Sequence, residues 1–202
     1  MPDAAAWRAW LEHHHADVPG VWLVLTKKGG DVTTLTRADA LDDALCFGWI
    51  DGQARSRDAA SSLQRMTPRT ARSRWSKVNV DLVARLEAEG RMAPAGRAVV
   101  DAAKADGRWA DAYDPPSTAE LPADLLAAIA ADPAAQAMFD VLTKGNRYAL
   151  YHRLGAIKRA ETRERKIVEA RRHARPARDA VPAEGPAEPR SPVTGAAPAR
   201  PR

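Results

Sequence analysis

Apolar residues recur at helical spacing near the start of the chain, where Trp7, Trp10 and Leu11, with His14 one turn on, form a single stripe behind Asp3. Asp3 is suited to cap the free N–H groups of the first turn. Gly20 then introduces a β-rich run, Val21 to Lys27, and Gly29-Gly30-Asp31 closes it, which predicts a buried strand followed by a turn. Thr36 with Asp39 three residues on forms a capping-box pattern, and its helix is expected to run to Phe47 with Gly48 as the stop. From Trp49 the period changes to two: Trp49, Asp51, Gln53, Arg55 and Arg57 share one face, and Ile50, Gly52 and Ala54 the other. A second strand over Leu63 to Thr67 makes a hairpin with it, and Pro68 ends that strand. The polar segment Arg69 to Lys77 reads as a long surface loop. Asn79 or Asp81 opens a helix with Leu82, Val83 and Leu86 inward and Gly90 as its end, and a further helix runs from Pro94 to Ala105.

Asp114-Pro115-Pro116-Ser117 cannot continue a helix, so residues 107–121 read as a connector between lobes. Beyond it the pattern is helical throughout: Pro122 to Ala131, Asp132 as cap with Pro133 leading a helix to Leu142, then Arg147 to Lys158, then Glu161 to Arg172. The expected fold class is α+β. A mixed lobe with a β-hairpin (1–106) is followed by the connector, a helical bundle (122–173) and a Pro/Ala/Arg-rich tail (174–202). The tail lacks aromatic residues and holds seven prolines, so it cannot offset its ordering entropy by burial and is expected to be disordered.

Charge sharpens this division. The net charge is +5, but residues 171–202 carry seven arginines against three acidic residues, leaving the folded part nearly neutral. Within that part, seven basic side chains in residues 55–77 face only Asp58, whereas residues 101–140 hold eight acidic ones against Lys104 and Arg108. The asymmetry suits either opposed faces or an internal charge contact. A single cysteine, Cys46, excludes an intramolecular disulfide framework and fits a reducing compartment, so a cytoplasmic address is expected. No apolar run approaches the ~20 residues that span a bilayer, and the N-terminus lacks a signal-peptide pattern, so no membrane insertion is expected.

Few residues announce chemistry. His13-His14-His15 cannot converge on one ion, because consecutive helical residues point about 100° apart. Cys46 lies in an apolar stretch that would keep its thiol protonated and inert. Phosphate-loop, dinucleotide and nucleophile-elbow motifs are absent from the sequence. No catalytic residue, metal site or cofactor is therefore expected. The densest polar constellation is Asp51, Gln53, Arg65, Thr67, Arg69, Arg74, Trp75, Lys77 and Asn79, where guanidinium forks and hydroxyls around one aromatic wall suit a phosphate or carboxylate. Arg65, Arg69 and Arg74 are expected to converge on a pocket, with Asp51 as their internal counter-charge. The competing reading is a solvated loop paired with the acidic stretch. Near the C-terminus, Tyr148, Leu150, Tyr151, Leu154 and Ile157 read as core, Glu161 as a partner of Arg165, and Lys158, Arg159, Arg163, Arg165 and Lys166 as a basic face.

Several of these segments form a recognisable pattern: Leu45-Cys46-Phe47-Gly48-Trp49-Ile50-Asp51-Gly52-Gln53, Thr67-Pro68-Arg69, Ser73 to Lys77 with Asn79, Gly90-Arg91-Met92, and Lys158 to Arg163 through Ile167. Together they resemble the YdeI/OmpD-associated family, with Ala160 where its members usually carry proline. The resemblance implies a bacteriocin-protection or stress-resistance role, that is, tolerance to envelope-directed peptides, and brings no catalytic set or cofactor with it. The resulting expectation is a noncatalytic binding protein whose partner is a small anionic ligand or an acidic protein. The alternatives are a nucleic-acid-binding protein using the Arg-rich loop and basic C-terminal helices, and an enzyme acting on a small anionic metabolite with Asp51 or Asp58 as base.

Overall fold

Local capping starts the helices where the sequence signals them. In the computed structural model, which describes residues 1–157 and 159–173, Asp3 accepts a hydrogen bond from the Ala6 N–H at 2.8 Å and opens α1 (Ala4–His14). The Thr36 hydroxyl oxygen accepts from the Asp39 N–H at 3.1 Å and opens α2 (Arg37–Cys46), which Gly48 ends at a φ of 77°. Strand β1 (Val21–Thr26) lies between these helices in sequence; β2 (Trp49–Ser56) and β3 (Ser61–Pro68) follow as the hairpin. The three strands form one antiparallel sheet in the order β1-β3-β2. Then come α3 (Lys77–Ala88) and α4 (Pro94–Ala105).

The strict period two expected along β2 is broken by a bulge. Asp51 pairs with Met66 and Ala54 with Gln64, so Gly52 and Gln53 together stand opposite one residue. Asp51 and Ala54 thus lie on the face of buried Met66, while Arg55, opposite Leu63, joins Arg65 on the other. Gln53 and Arg55 therefore do not share a face with Asp51. The bulge has a structural use: the amide of Gln64, only 2% exposed, donates to the Gly52 carbonyl at 3.0 Å and to the Gln53 carbonyl at 3.4 Å.

Against the Met66 face packs a core built on tryptophan. Trp7, Trp49 and Trp75 are essentially buried, with Leu11, Leu45, Val83, Leu86 and Val100 around them. Trp10, half-buried, stacks on Trp7 at 5.4 Å and meets Trp49 edge-on at 5.9 Å. Helix α4 reaches this core by close backbone approach, since a Cβ on Gly96 would lie 2.2 Å from the Cys46 carbonyl oxygen. Beside it, Arg8 and Arg91 both bind the buried Asp43 carboxylate at 3.0 Å, and Arg85 binds Asp42 at 2.6 Å.

The second core is smaller: Leu125, Ile129, Ala135, Phe139, Leu154 and Ile167. It is formed by α5 (Ala123–Ala130), α6 (Pro133–Asp140), α7 (Lys144–Gly155) and α8 (Ala160–His173). Tyr148, Leu150, Tyr151 and Ile157, expected as core, are only half-buried. Helix α7 starts three residues earlier than expected, because the Thr143 hydroxyl caps it by accepting from the Asn146 N–H. On α8 the ion pair runs from Arg163 to Asp124, at 2.6 and 2.9 Å, which ties α8 to α5. Among the described residues no helix is long and apolar enough to cross a membrane. The tail expected over 174–202, and Lys158 of the expected basic face, lie outside the described residues.

Candidate functional site

Pro68 removes an N–H from the ladder and ends β3, and the chain then folds back over the core instead of leaving it. Residues Arg69–Ser76, expected as a solvated loop, are pinned at both ends. The Arg69 N–H donates to the Gly48 carbonyl at 2.9 Å, and Ser76 caps α3 by accepting from the Asn79 N–H at 3.1 Å. The cap is thus Ser76 rather than Asn79 or Asp81, and Asn79 is buried in the first helical turn. Trp75 and Arg69, 2% and 7% exposed, point inward. Apolar burial of the Trp75 ring supplies the reason the loop is ordered.

The guanidinium of Arg69 lies 3.6 Å from the Trp75 ring centroid. Its Nη1 donates to the Arg74 carbonyl at 3.1 Å, but Nε and Nη2 have no hydrogen-bond partner among the described residues, and neither does the Trp75 indole N–H. Burial pulls the Arg69 pKa well below its ordinary value, to about 10; Tyr113 and Asp51 oppose this, and nearby Arg108 adds to it. A drop of that size corresponds to a cost on the order of 3 kcal/mol for holding the charge. A cation–π contact returns only about 1–2 kcal/mol. Arg69 is therefore a buried cation with no carboxylate in contact among the described residues.

On the solvent side of Trp75 a cleft of about 680 Å³ runs between the two lobes, lined by Ala71, Arg72, Arg74, Trp75, Arg108, Asp111, Gly155 and Ala156. This is the size range of small-ligand sites. Arg74 crosses it, with Nη1 3.4 Å from the His152 carbonyl on α7 and its guanidinium 4.9 Å from the Tyr113 ring centroid. Arg108 is held by Asp106 at 2.7 Å and donates to the Thr70 and Ser73 carbonyls. Burial, with the charge of Arg74, lowers the His152 pKa, so its imidazole stays neutral at physiological pH.

Residues of the expected connector pack beside the cleft, and Arg108 and Asp111 line it. Trp109 packs on Trp75 at 4.8 Å, and Tyr113 exchanges backbone hydrogen bonds with Trp75 and Lys77 at 3.0 and 2.9 Å. Asp114 then joins the lobes. Its carboxylate accepts from Lys77 at 2.6 Å and from the Tyr151 hydroxyl at 3.1 Å, and its carbonyl accepts from the Tyr148 hydroxyl at 3.1 Å. The Lys77 contact, aided by Tyr151, holds the Asp114 carboxyl below its ordinary value.

The expected nine-residue constellation is thus only partly assembled. Arg69, Arg74 and Trp75 come together, and Lys77 and Asn79 follow on the first turn of α3. Arg65 does not converge with them: it lies beside Trp22, at 5.7 Å, together with Arg55 at 3.8 Å, on the sheet face opposite Met66. Thr67 pairs with Ile50 on that same face, and Gln53 sits exposed in the bulge. The Asp51 carboxylate makes its contact with Arg37 at 2.8 Å and acts on Arg69 only at a distance, through its charge. Arg108, Asp111 and Tyr113 were outside the expected site. Their signal was the pair of aromatics, Trp109 and Tyr113, within a stretch whose prolines suggested a spacer.

Other candidates are structural. His13 and His15 turn their Nδ1 atoms back to the Ala9 and Leu11 carbonyls, at 2.8 Å each, and no group of three ligand-type side chains suited to a metal occurs among the described residues. Burial raises the Cys46 pKa, against a smaller opposing pull from Arg8.

Comparison with known families matches two separate segments of the chain. Residues 1–99 match a domain of unknown function (DUF8412), a segment that includes the Leu45–Gln53 run and the Trp75 loop. Residues 118–175 match the family described as bacteriocin-protection, YdeI or OmpD-associated. No curated protein and no solved structure matches the chain. Its helical C-terminal lobe is therefore similar to the YdeI/OmpD-associated family.

Proposed function

We propose that this is a noncatalytic, cytoplasmic binding protein that holds a small anionic ligand in the cleft between its lobes, and that its cellular role is tolerance to bacteriocins or related antimicrobial peptides. One observation carries the binding part: Arg69 is buried, with no carboxylate in contact among the described residues, directly behind a cleft that also presents Arg72 and Arg74. A protein that bears such a cost gains when an anion completes the charge balance. The tolerance part rests on the family that the C-terminal lobe resembles.

Thermal-shift measurements with a panel of phosphates and carboxylates at constant ionic strength test the binding. A ligand at 100 times its Kd stabilises the native state by about 2.7 kcal/mol. A midpoint that no anion raises would remove the reading. Deletion of the gene is expected to sensitise cells to at least one bacteriocin or cationic peptide; unchanged sensitivity across several would remove the tolerance role.

A further inference from the structure

We propose that the cleft takes a phosphomonoester, with Arg72 and Arg74 gripping its dianionic head and its organic body lying along Trp75 and Ala156; this rests on the anion-binding reading above and narrows the class of ligand. The first support is charge. Arg108 is already engaged by Asp106, whereas the partners of Arg74 are a carbonyl and an aromatic ring, and the Arg72 side chain makes no hydrogen bond among the described residues. Arg69 adds a third guanidinium without a carboxylate in contact, its free N–H groups shut behind the Trp75 ring, so that it acts through its field. Even with Asp111 on the lining set against these three, two positive charges remain. A carboxylate would leave one of them unmatched. A phosphomonoester carries about −1.5 to −2 at neutral pH.

The second support is geometry. A carboxylate offers two coplanar oxygens and matches one guanidinium fork, whereas three terminal phosphoryl oxygens accept from two forks at once. Arg72 and Arg74 are separated by one residue on the same loop, and Arg74 also reaches across to α7, where a Cβ on Gly155 would lie 3.5 Å from its Nη2. The third is size. At about 680 Å³ the cleft far exceeds an inorganic ion, and Ala71, Gly155 and Ala156 leave it open walls of small side chains for an organic group.

Calorimetric titration of the full chain with phenyl phosphate, benzoate and inorganic phosphate at matched ionic strength tests this. Phenyl phosphate is expected to bind at least ~10-fold more tightly than benzoate, the value of one charged hydrogen bond. The R72Q/R74Q double variant, with its folding checked by circular dichroism, is expected to lose at least ~100-fold; all tail arginines remain in it, so the loss isolates the cleft. R72Q alone serves if the double variant does not fold, with an expected loss of at least ~10-fold. Equal affinity for benzoate overturns the phosphomonoester assignment and leaves the anion reading standing. Failure of all three probes to bind overturns both, as does phenyl phosphate binding that survives loss of the arginines.

Discussion

The two lobes solve the problem of stability differently. Among the described residues, the first builds its core from eighteen buried apolar residues, three of them tryptophans, whereas the core of the second has six, none larger than phenylalanine. A core of six side chains across four short helices offers little surplus over conformational entropy. The difference explains where the polar ties lie. In the first lobe the charged groups form a girdle beside the core, through Asp42 and Asp43. In the second they serve as fasteners: Arg163 ties α8 to Asp124, and Tyr148, Tyr151 and Lys77 tie the bundle to its neighbour through Asp114. A lobe that leans on its partner in this way places the cleft between a firm wall and a more yielding one.

Truncating Trp7 to alanine should test the contrast most severely. It removes a fully buried ring and the indole donor to the Ala40 carbonyl, and is expected to cost about 3–5 kcal/mol, with both lobes lost together in denaturant unfolding. Leu125→Ala is expected to cost about 2–4 kcal/mol, but to speed hydrogen exchange in α5 to α8 while leaving the amides of the sheet protected. Uniform acceleration in both lobes would erase the distinction. Arg69→Met sharpens it from the other side. Removing a buried cation without a counter-ion is expected to leave stability unchanged or raise it by ~1 kcal/mol, while the response to anions falls. Its charge is disfavoured in the fold, so the cost is present below pH 10 and diminishes as pH rises above about 10; stability relative to Arg69→Met should converge as pH is raised through that value.

The smallest expected effect concerns Asp114. Because its carboxyl is held below the ordinary value, its contribution is present above the usual carboxylate pKa of about 3.9 and is lost as pH falls through the lowered one. NMR titration should show the Asp114 pKa returning towards that ordinary value in Lys77→Gln, and moving less in Tyr151→Phe. An unchanged Asp114 pKa in Lys77→Gln would mean that the lobes are joined by something else.

What could be foreseen from the sequence follows the same division between local and distant causes. Asp3, Thr36, Pro94 and Asp132-Pro133 act on the backbone a few residues away, and the helices they open stand where expected. Thr143 was overlooked because no Glu or Gln follows it at the third position to complete a capping box. Register and convergence depend on partners far along the chain. The bulge at Gly52 and Gln53 is defined only by the pairing of β2 with β3, and it separates Arg55 from Asp51. Whether three arginines spaced by four and five residues meet is decided by which side of the sheet each one takes. Trp75, expected as an apolar wall, is buried and lies on the lining of the cleft. What was not foreseen is that the same ring would carry the loop into the core and take Arg69 with it.

The bulge also has a consequence for how such a sequence can diverge. Deleting one of Gly52 and Gln53 would leave every strand pair on either side intact, so the ladder itself does not forbid a shorter β2. The buried amide of Gln64 opposes it, since it donates to the carbonyls of both bulge residues and one of these is lost in the shorter strand. Length at one site and polarity at another are therefore inherited together. Relatives that lack the extra residue are expected to carry an apolar side chain in place of Gln64, and an alignment of homologues should show the two changes as a single event.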